Sequence, residues 1–472
     1  MRDKRFIIVN LIFAFFAIGV FCSESVDSIS LESMLSNYIA QDSQIKNLAL
    51  KYQQTLLSQK KSDVQNGFNV KLSTGQISVR TDVFNMEPSL ELSFPNLNGT
   101  RFLAKVPLNF SKKDDKSSLS GVDLGVKTEI WGNTKSNLEL SEKRTERSVL
   151  LAKRALENQI LNIEIEFYKT LKSIYSNYSS LLSSENSLYE EKIDLELLQT
   201  QGYSANSVKY RIAQLEFGDV QRDVEQKKRD LEQSIVEFSS KCGLQNPLQL
   251  SLLANVEFAF VDEDFASIYP MQKFDDVEQA EWDLNMLQSQ ILAEKAFNIY
   301  MDANYILNDS SYNNADTVKT GVSLSGKGAE LSAGVKIPIS KEEKNVSTQL
   351  LLTWNPTDLK TEKIENQNTD LDLQMAVLRC ENAKTSYQEM IEDAILTKEN
   401  LLWQQKMNLE EKVLYQELAD DMETWFKRGY ATDSENRMSQ VKLQNALIQC
   451  KINEIDLLLN DLQTKIRFVR EE

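Results

Sequence analysis

Residues 429–466 decide the fold, and they read GYATDSENRMSQVKLQNALIQCKINEIDLLLNDLQTKI. In this stretch isoleucine and leucine recur at steps of four and three residues, at Ile448, Ile452, Ile455, Leu459, Leu462 and Ile466. A period of 3.5 residues places these side chains along one stripe of an α-helix, and such a stripe specifies packing against another helix as a coiled coil. We therefore predict a helix that is buried along one side.

Gly429 separates this helix from a longer helical pattern before it. Residues 357–472 contain no proline and a single glycine. Apolar side chains at helical spacing precede that glycine, among them Cys380, Ala383, Tyr387, Met390 and Ala394. Glycine suits the left-handed conformation that often ends a helix, and Thr432 can cap the helix that follows. A long helical hairpin with its tip at Gly429-Tyr430 is therefore predicted.

The first half of the chain repeats this order. Residues 108–246 also lack proline, and a helix predicted from about Asn137 to Gln201 would run about 95 Å at 1.5 Å per residue. It meets Gly202-Tyr203, which precedes Gly429-Tyr430 by 227 residues (429 − 202). We therefore predict a second hairpin and an internal duplication.

A shorter helix and a β-rich stretch precede each hairpin. The helices are predicted from about Leu31 to Val64 and from about Val277 to Tyr305. Apolar residues then alternate with polar ones over residues 102–110, 122–130, 318–324, 331–339 and 346–354. Such alternation suits a membrane barrel strand, with one face to lipid and one to the lumen, and it equally suits a water-soluble β-layer with one buried face. In a barrel, the side chains predicted to face the lumen are Lys105, Lys127, Glu129 and Lys336.

The composition excludes several classes of function. The chain has 472 residues, no histidine and a formal net charge of −17. Without histidine there is no Ser-His-Asp or Cys-His machinery and no HExxH zinc site. Net acidity argues against a nucleic-acid surface. We accordingly expect no catalytic residues, no cofactor and no metal, and we predict that the protein is not an enzyme.

The N-terminus has the pattern of an export signal. Arg2, Lys4 and Arg5 precede an apolar run over residues 6–21, which is too short for a good transmembrane helix. We predict a signal peptide at residues 1–22. Cys22 could instead be the lipidated first residue of the mature protein.

The order of helix, strands and long hairpin, given twice after a signal peptide, resembles the TolC-like outer membrane efflux protein family. The residues that carry the resemblance are those of the hairpin turns: the segment 429–446, GYATDSENRMSQVKLQNA, and in the first copy Gly202, Ala213-Gln214 and Phe217. The resemblance covers essentially the whole mature chain. This chain departs from the family by having Gln41-Asp42-Ser43 where an Asn-Pro is usual, and by having more strand than expected in residues 68–131.

The resemblance implies an α+β fold in which antiparallel coiled-coil hairpins form an α-barrel tunnel and strands form a transmembrane β-barrel. It implies a homotrimer in the cell outer membrane, with a periplasmic extension and four strands from each chain. The predicted organisation is a first repeat at 23–246, a connecting segment at 247–276 and a second repeat at 277–472.

The resemblance also implies roles for the hairpin tips. Glu435 matches the family's tip aspartate and Asp433 lies two residues earlier, so both would line the periplasmic aperture, although the second acidic position falls on Met438. Thr432-x-x-Glu435 is equally the pattern of a capping box, in which Glu435 only satisfies helix N–H groups. The tips at Gly202-Tyr203 and Gly429-Tyr430 would contact a periplasmic adaptor.

The implied function is an exit duct for efflux or type I secretion. Its partners would be a second and third copy of the chain, a periplasmic adaptor (membrane fusion) protein, an inner-membrane transporter and outer-membrane lipid. The alternative is a periplasmic coiled-coil adaptor or scaffold protein without a membrane barrel. A barrel protein would need detergent for extraction, whereas such a scaffold would not.

Overall fold

A computed structural model describes residues 31–75, 77–80, 83–111, 116–119, 121–249, 258, 265–295, 297–307, 316–326, 328–339 and 345–470. The expected signal peptide and Cys22 lie outside the described residues. The chain divides into two compact units, each assembled from separate stretches. Unit 1 comprises Met1–Ala49, Arg154–Asp275 and Thr385–Glu472, and unit 2 comprises Leu50–Lys153 and Asp276–Lys384.

The helices, in chain order, are α1 (Leu31–Gln41), α2 (Ser43–Asn66), α3 (Thr134–Thr200), α4 (Val208–Lys241), α5 (Phe265–Ile268), α6 (Asp275–Ala293), α7 (Pro356–Lys427) and α8 (Asp433–Lys465). Both predicted long helices are confirmed, since α3 has 67 residues and α7 has 72. In the described part of the chain, no helix has a stretch that is both long and apolar enough to cross a membrane.

The core of unit 1 lies between the helices of the two hairpins. The predicted stripe of α8 is buried in it, with Ile455 and Leu462 almost fully enclosed beside Phe167, Leu171 and Ile174 of α3. Each such side chain contributes about 1.5–3 kcal/mol when it leaves water. The burial of this stripe is therefore confirmed, but α8 is not buried along one side only, because residues 457–462 are buried without a break.

The predicted helix over residues 31–64 is divided in two. The carboxylate of Asp42 accepts the backbone N–H of Ile45 at 2.7 Å, so Asp42 acts as a cap between α1 and α2. Tyr38 of α1 then packs on Phe167 and Phe238, with ring centroids 5.5 and 6.2 Å away. The break thus lets α1 close over the core of unit 1.

The strands, in chain order, are β1 (Asn69–Ser73), β2 (Ile77–Arg80), β3 (Val83–Met86), β4 (Ser89–Phe94), β5 (Thr100–Lys105), β6 (Leu108–Ser111), β7 (Lys116–Leu119), β8 (Val122–Trp131), β9 (Asn298–Leu307), β10 (Asp316–Gly326), β11 (Ala329–Ile339) and β12 (Ser347–Trp354). All of them belong to unit 2. An antiparallel eight-stranded sheet has the order β1-β4-β5-β8-β9-β10-β11-β12, and a four-stranded sheet has the order β2-β3-β6-β7. The strands before α3 and the strands between α6 and α7 therefore each supply half of the larger sheet.

Two predictions about this region are wrong. The helix expected over residues 277–305 ends at Ala293, and β9 takes its place, because Ile299, Met301 and Ala303 alternate with polar residues and pair with β8 and β10. The expected four strands per chain become eight in the larger sheet, since each of the two β-rich stretches contributes four strands to it. In the single chain this sheet is open, with β1 at one edge and β12 at the other.

Candidate functional site

One face of the eight-stranded sheet is polar and charged. The pairing registers place the following side chains on this face, because residues two apart on a strand share a side: Lys71, Glu91, Arg101, Lys105, Lys127, Asp302, Lys319, Lys336 and Gln349. Three of the four side chains that were predicted to face a lumen are therefore on the polar face and exposed, namely Lys105, Lys127 and Lys336. Both signs of charge occur on this face, with more cations than anions, so the face can meet water and ions.

Glu129, the fourth side chain that was predicted to face a lumen, is not exposed on the polar face. It lies on the same side of β8 but is buried, and its Oε2 accepts the backbone N–H of Thr134 at 3.0 Å, at the start of α3. Because this carboxylate caps a helix, it is not an exposed group of the polar face. The expectation that Glu129 faces a lumen is wrong for this reason.

Glycines form the floor of the polar face between its charged side chains. Gly321 and Gly334 stand opposite each other, beside the opposed pair Lys319 and Lys336, in a groove of about 390 Å³. A Cβ added at Gly321 would come within 2.8 Å of Asp302 Oδ1, so the carboxylate of Asp302 lies over this glycine. Two like charges directly across a strand pair are unfavourable unless water or an anion screens them. The groove is thus suited to solvent and not to close packing.

The opposite face of the same sheet is apolar and exposed. Every strand contributes at least one exposed apolar side chain to it, including Leu72, Leu90, Phe102, Leu124, Met301, Val322, Leu331 and Leu350. Leu72 is 80% exposed and Leu350 is 74% exposed. A contiguous apolar surface of this kind marks contact with a membrane or with another protein.

The two hairpin tips have the same backbone geometry. Gly202 and Gly429 adopt positive φ angles of 82° and 76°. At each tip the glycine N–H donates to the carbonyl three residues earlier, and the tyrosine N–H donates to the carbonyl five residues earlier, at 2.9–3.1 Å. This is the Schellman motif, which satisfies the last carbonyls of α3 and α7. Tyr203 and Tyr430 are 41% and 81% exposed.

The two tip acids each have a partner within the chain. Thr432 and Glu435 form the full capping box: the Glu435 carboxylate accepts the Thr432 N–H at 2.8 Å, and Thr432 Oγ1 accepts the Glu435 N–H at 3.2 Å. The Thr432 backbone N–H and, at 2.8 Å, the Thr432 hydroxyl both donate to the Glu435 carboxylate and hold its pKa below the ordinary value. Asp433 accepts a short hydrogen bond from the Tyr189 hydroxyl of α3. The capping-box interpretation of Glu435 is confirmed.

Tyr189 and Arg437 form a cluster with Asp433, and neither was predicted from the sequence to be a site residue. The Arg437 guanidinium lies 4.6 Å from the Tyr189 ring centroid, which gives a cation–π contact. The hydrogen bond to Asp433 is the main cause that raises the pKa of Tyr189, because it favours the protonated hydroxyl. Nothing local to residue 189 signals this role, since the partner lies 244 residues away.

Contacts between α3 and α8 fix how far each hairpin reaches. Tyr189 contacts Asp433, Ser179 donates to Asn445 at 2.8 Å, and Lys172 pairs with Asp456 at 2.6 Å. Asp433, the first residue of α8, is thus level with Tyr189 of α3. Because α3 continues from Tyr189 to Thr200, the first tip projects about 16 Å beyond the second at 1.5 Å per residue. The structure therefore does not bring Tyr203 and Tyr430 together.

Among the described residues we looked for metal-binding groups and reactive thiols. There, no group of three His, Cys, Asp or Glu side chains is arranged to hold a metal ion. The thiols of Cys242, Cys380 and Cys450 are free and buried. Burial raises the pKa of Cys242 to about 12, so this thiol does not form a reactive thiolate near neutral pH.

Comparisons with known proteins assign the chain to a family. It matches the TP096X N-terminal domain over residues 34–256 and the TP096X C-terminal domain over residues 264–471. An uncharacterized protein of Treponema pallidum (strain Nichols) is 22% identical over 404 residues, which are 81% of this chain and 70% of that protein.

Two solved structures resemble the fold. The outer membrane protein VceC of Vibrio cholerae is 10% identical with a TM-score of 0.50, covering 92% of this chain and 95% of that one. The outer-membrane channel OprN is 11% identical with a TM-score of 0.52, covering 93% and 90%. The chain has a TolC-like fold. Because the N-terminal and C-terminal domain models match it one after the other, the chain belongs to the TP096X family.

Proposed function

We propose that the protein is an outer-membrane channel that serves as an exit duct for efflux or type I secretion. The observation that supports this most is the sheet of unit 2, which has one exposed apolar face and one exposed charged face. A water-soluble β-layer would bury the apolar side. In a membrane the apolar face meets lipid and the charged face meets the aqueous lumen.

Strand length supports the same proposal. The four strands β8, β9, β10 and β11 have 10, 10, 11 and 11 residues. A tilted strand needs about 9–11 residues to cross the hydrocarbon core. These strands are therefore long enough to span an outer membrane.

Assembly from several copies is supported by the surface of α7. In unit 1 this helix leaves large apolar side chains exposed along its length: Leu396, Trp403, Leu414, Leu418 and Trp425. A helix with an uncovered apolar stripe needs a partner surface. We propose that other copies of the chain cover it, as a homotrimer whose hairpins form a tunnel in the periplasm.

The partners at the tips are a periplasmic adaptor and, through it, an inner-membrane pump that supplies the energy. Because the first tip projects further, an adaptor would meet Gly202 and Tyr203 before Gly429 and Tyr430. Val208, Ile212 and Leu215 are exposed beside the first tip at steps of four and three residues. This stripe could form an apolar binding surface for a helix of the adaptor.

Asp433 and Glu435 remain our proposed aperture residues. Copies related by symmetry would bring their carboxylates near one another and favour cations. Glu435 can serve both as a cap and in the aperture, because its carboxylate is exposed. Substitution of both acids by Asn and Gln is expected to reduce cation selectivity in single-channel recordings, and unchanged selectivity would remove the aperture role.

Adjacent residues of β12 provide a test of membrane insertion. Leu350 and Leu351 are both exposed and point to opposite faces of the sheet. An arginine on the lipid side near mid-membrane costs about 2–4 kcal/mol, whereas one on the lumen side costs little. We expect Leu350→Arg to lower the amount of protein in the outer-membrane fraction at least tenfold, and Leu351→Arg to leave it near wild type.

The same experiment separates the channel from the periplasmic scaffold. A scaffold would be released without detergent, and Leu350→Arg would then affect the protein no more than Leu351→Arg. Equal fractionation of the two variants, with both folded by circular dichroism, would refute the channel.

A further inference from the structure

Two exposed lysines of the polar face stand directly opposite each other. Lys319 of β10 faces Lys336 of β11. On their other sides, Lys319 faces Asn304 of β9 and Lys336 faces Ser347 of β12. Like charges that are directly opposed destabilise a strand pair. The described residues of the neighbouring strands thus leave this lysine pair without an opposed carboxylate.

Three other lysines of the polar face do stand opposite carboxylates. These opposed pairs are Lys71 with Glu91, Lys105 with Asp123 and Lys127 with Asp302. The chain as a whole is acidic, with a formal net charge of −17. The uncompensated lysine pair is therefore a local feature, and it does not follow from the overall composition.

The lysine pair borders the groove of about 390 Å³ in the polar face. Along β10 and β11 the successive opposed pairs on this face are two lysines, two glycines and two serines: Lys319–Lys336, Gly321–Gly334 and Ser323–Ser332. Because residues two apart on a strand are about 7 Å apart, the lysines and the serines are separated by about 13 Å. Small-molecule sites have volumes of about 300–1,000 Å³, so the groove is large enough to be one.

One acid also borders the groove. A Cβ added at Gly321 would come within 2.8 Å of Asp302 Oδ1, so this carboxylate lies over the glycine. Asp302 stands opposite Lys127 on its other side. Because Lys127 balances this acid, the positive charge of the lysine pair remains in place.

We propose that this groove binds an oxyanion, namely a phosphate or carboxylate group of a molecule that passes through the lumen. The proposal rests on the proposed channel function, which makes the polar face the wall of the lumen. Lysine binds phosphate as a point charge, and Lys or Arg side chains line pores that select anions. The hydroxyls of Ser323 and Ser332 can donate hydrogen bonds to the same molecule. The groove thus favours small anionic solutes as cargo.

The first test is protection of the lysine pair from acetylation. Detergent-solubilised wild-type protein is treated briefly with acetic anhydride, in inorganic phosphate or in chloride of equal ionic strength, and mass spectrometry measures the modified peptides. Equal ionic strength keeps the screening of surface charges the same. At a phosphate concentration of about ten times its dissociation constant, about one groove in ten is free, so Lys319 and Lys336 should react about tenfold more slowly.

The internal controls of this test are Lys71 and Lys105. Both are exposed on the same face and stand opposite acids. They should react at the same rate in both salts.

The second test is the block of the chloride current by phosphate in a planar bilayer. Lys319→Gln with Lys336→Gln removes the lysine pair. A unit charge about 4 Å away in water changes the binding of an anion about fivefold, so this variant should need at least about fivefold more phosphate for half block. Lys319→Arg with Lys336→Arg should keep the block because it keeps the charge.

The matched control is Lys71→Gln with Lys105→Gln, which removes the same net charge from positions that oppose acids. Its half-blocking phosphate concentration should equal that of the wild type. Asp433 and Glu435 belong to unit 1 and the groove belongs to unit 2. Asp433→Asn with Glu435→Gln should therefore leave the protection from acetylation unchanged.

Two results would overturn the proposal. One is that phosphate slows the acetylation of Lys319 and Lys336 no more than that of Lys71 and Lys105. The other is an equal rise of the half-blocking concentration in the two glutamine variants. The absence of any current would instead refute the exit duct, and the acetylation rates would still decide whether the groove binds phosphate.

Discussion

Arg147 is expected to be a major contributor to the stability of unit 2. This side chain of α3 is 5% exposed and donates to both carboxylate oxygens of Glu278, at 2.5 and 2.6 Å. It also donates to Gln279 Oε1 at 2.6 Å and lies 5.2 Å from the ring centroid of Trp282. Because α3 follows β8 and α6 precedes β9, this cluster joins two helices beside the place where β8 pairs with β9.

The magnitude follows from what Arg147→Met removes. Loss of one partner of a buried ion pair costs about 3–5 kcal/mol, and loss of a cation–π contact costs about 0.5–1 kcal/mol. Glu278 keeps 25% of its side chain exposed, so water recovers part of the first cost. We therefore expect a loss of about 3–4 kcal/mol. Replacing both partners, in Arg147→Met with Glu278→Leu, should restore at least half of it, because no stranded charge remains.

The assay is guanidinium unfolding of the detergent-solubilised protein, followed by its helical circular dichroism signal. The matched control is Arg144→Met, three residues earlier on α3, where an exposed arginine donates one hydrogen bond to Gln290 at 2.9 Å. Its expected cost is at most about 1 kcal/mol. If Arg147→Met unfolds at the same midpoint as Arg144→Met, or if Glu278→Leu adds to the loss instead of reducing it, the reasoning is refuted.

Three further predictions concern the hairpin ends. Gly202→Ala and Gly429→Ala should each destabilise a tip by about 1 kcal/mol because of the positive φ angles, whereas Gly218→Ala inside α4 should stabilise its helix by about 0.5–1 kcal/mol. Hydrogen exchange of the amides around each glycine measures these changes, and equal effects at all three sites would contradict the prediction. The lowered pKa of Glu435 predicts that its carboxylate stabilises the start of α8 at neutral pH and that this stabilisation is lost as the pH falls below 4.5. Hydrogen exchange of the first turn of α8 should show this loss in the wild type and not in Glu435→Gln. An equal pH response of the two proteins would refute the prediction. Tyr189→Phe should loosen the contact between the end of α3 and the start of α8, so the amides of both segments should exchange faster. The control Tyr178→Phe, also on α3, should leave their exchange unchanged. Identical exchange in the two variants would show that the contact with Asp433 is unimportant.

The helical hairpins were predictable because their signals are local. The stripe from Ile448 to Leu462 predicts residues that α8 buries, and one glycine at each tip marks where the chain reverses. The capping box at Thr432 was visible for the same reason, since its two members are three residues apart. In each case the residues that make up the sequence pattern are close together in the chain.

The features that sequence reasoning missed depend on contacts between distant segments. Residues 298–307 follow α6 after a short connection and contain enough apolar residues to extend it, so it is their pairing with β8 and β10 that makes them a strand. Tyr189 acquires its role through the register between α3 and α8. The eight-stranded sheet likewise depends on the pairing of β8 with β9, which are far apart in the chain.

The most direct test of the exit-duct proposal is the conductance of the purified, detergent-solubilised protein in a planar lipid bilayer. We expect discrete single-channel currents that scale with salt concentration. Leu351→Arg should retain these currents, because its side chain lies on the polar face of the sheet, whereas Leu350→Arg, on the apolar face, should insert at least tenfold less often. Folded oligomeric protein that produces no current at any voltage or salt concentration would contradict the proposal.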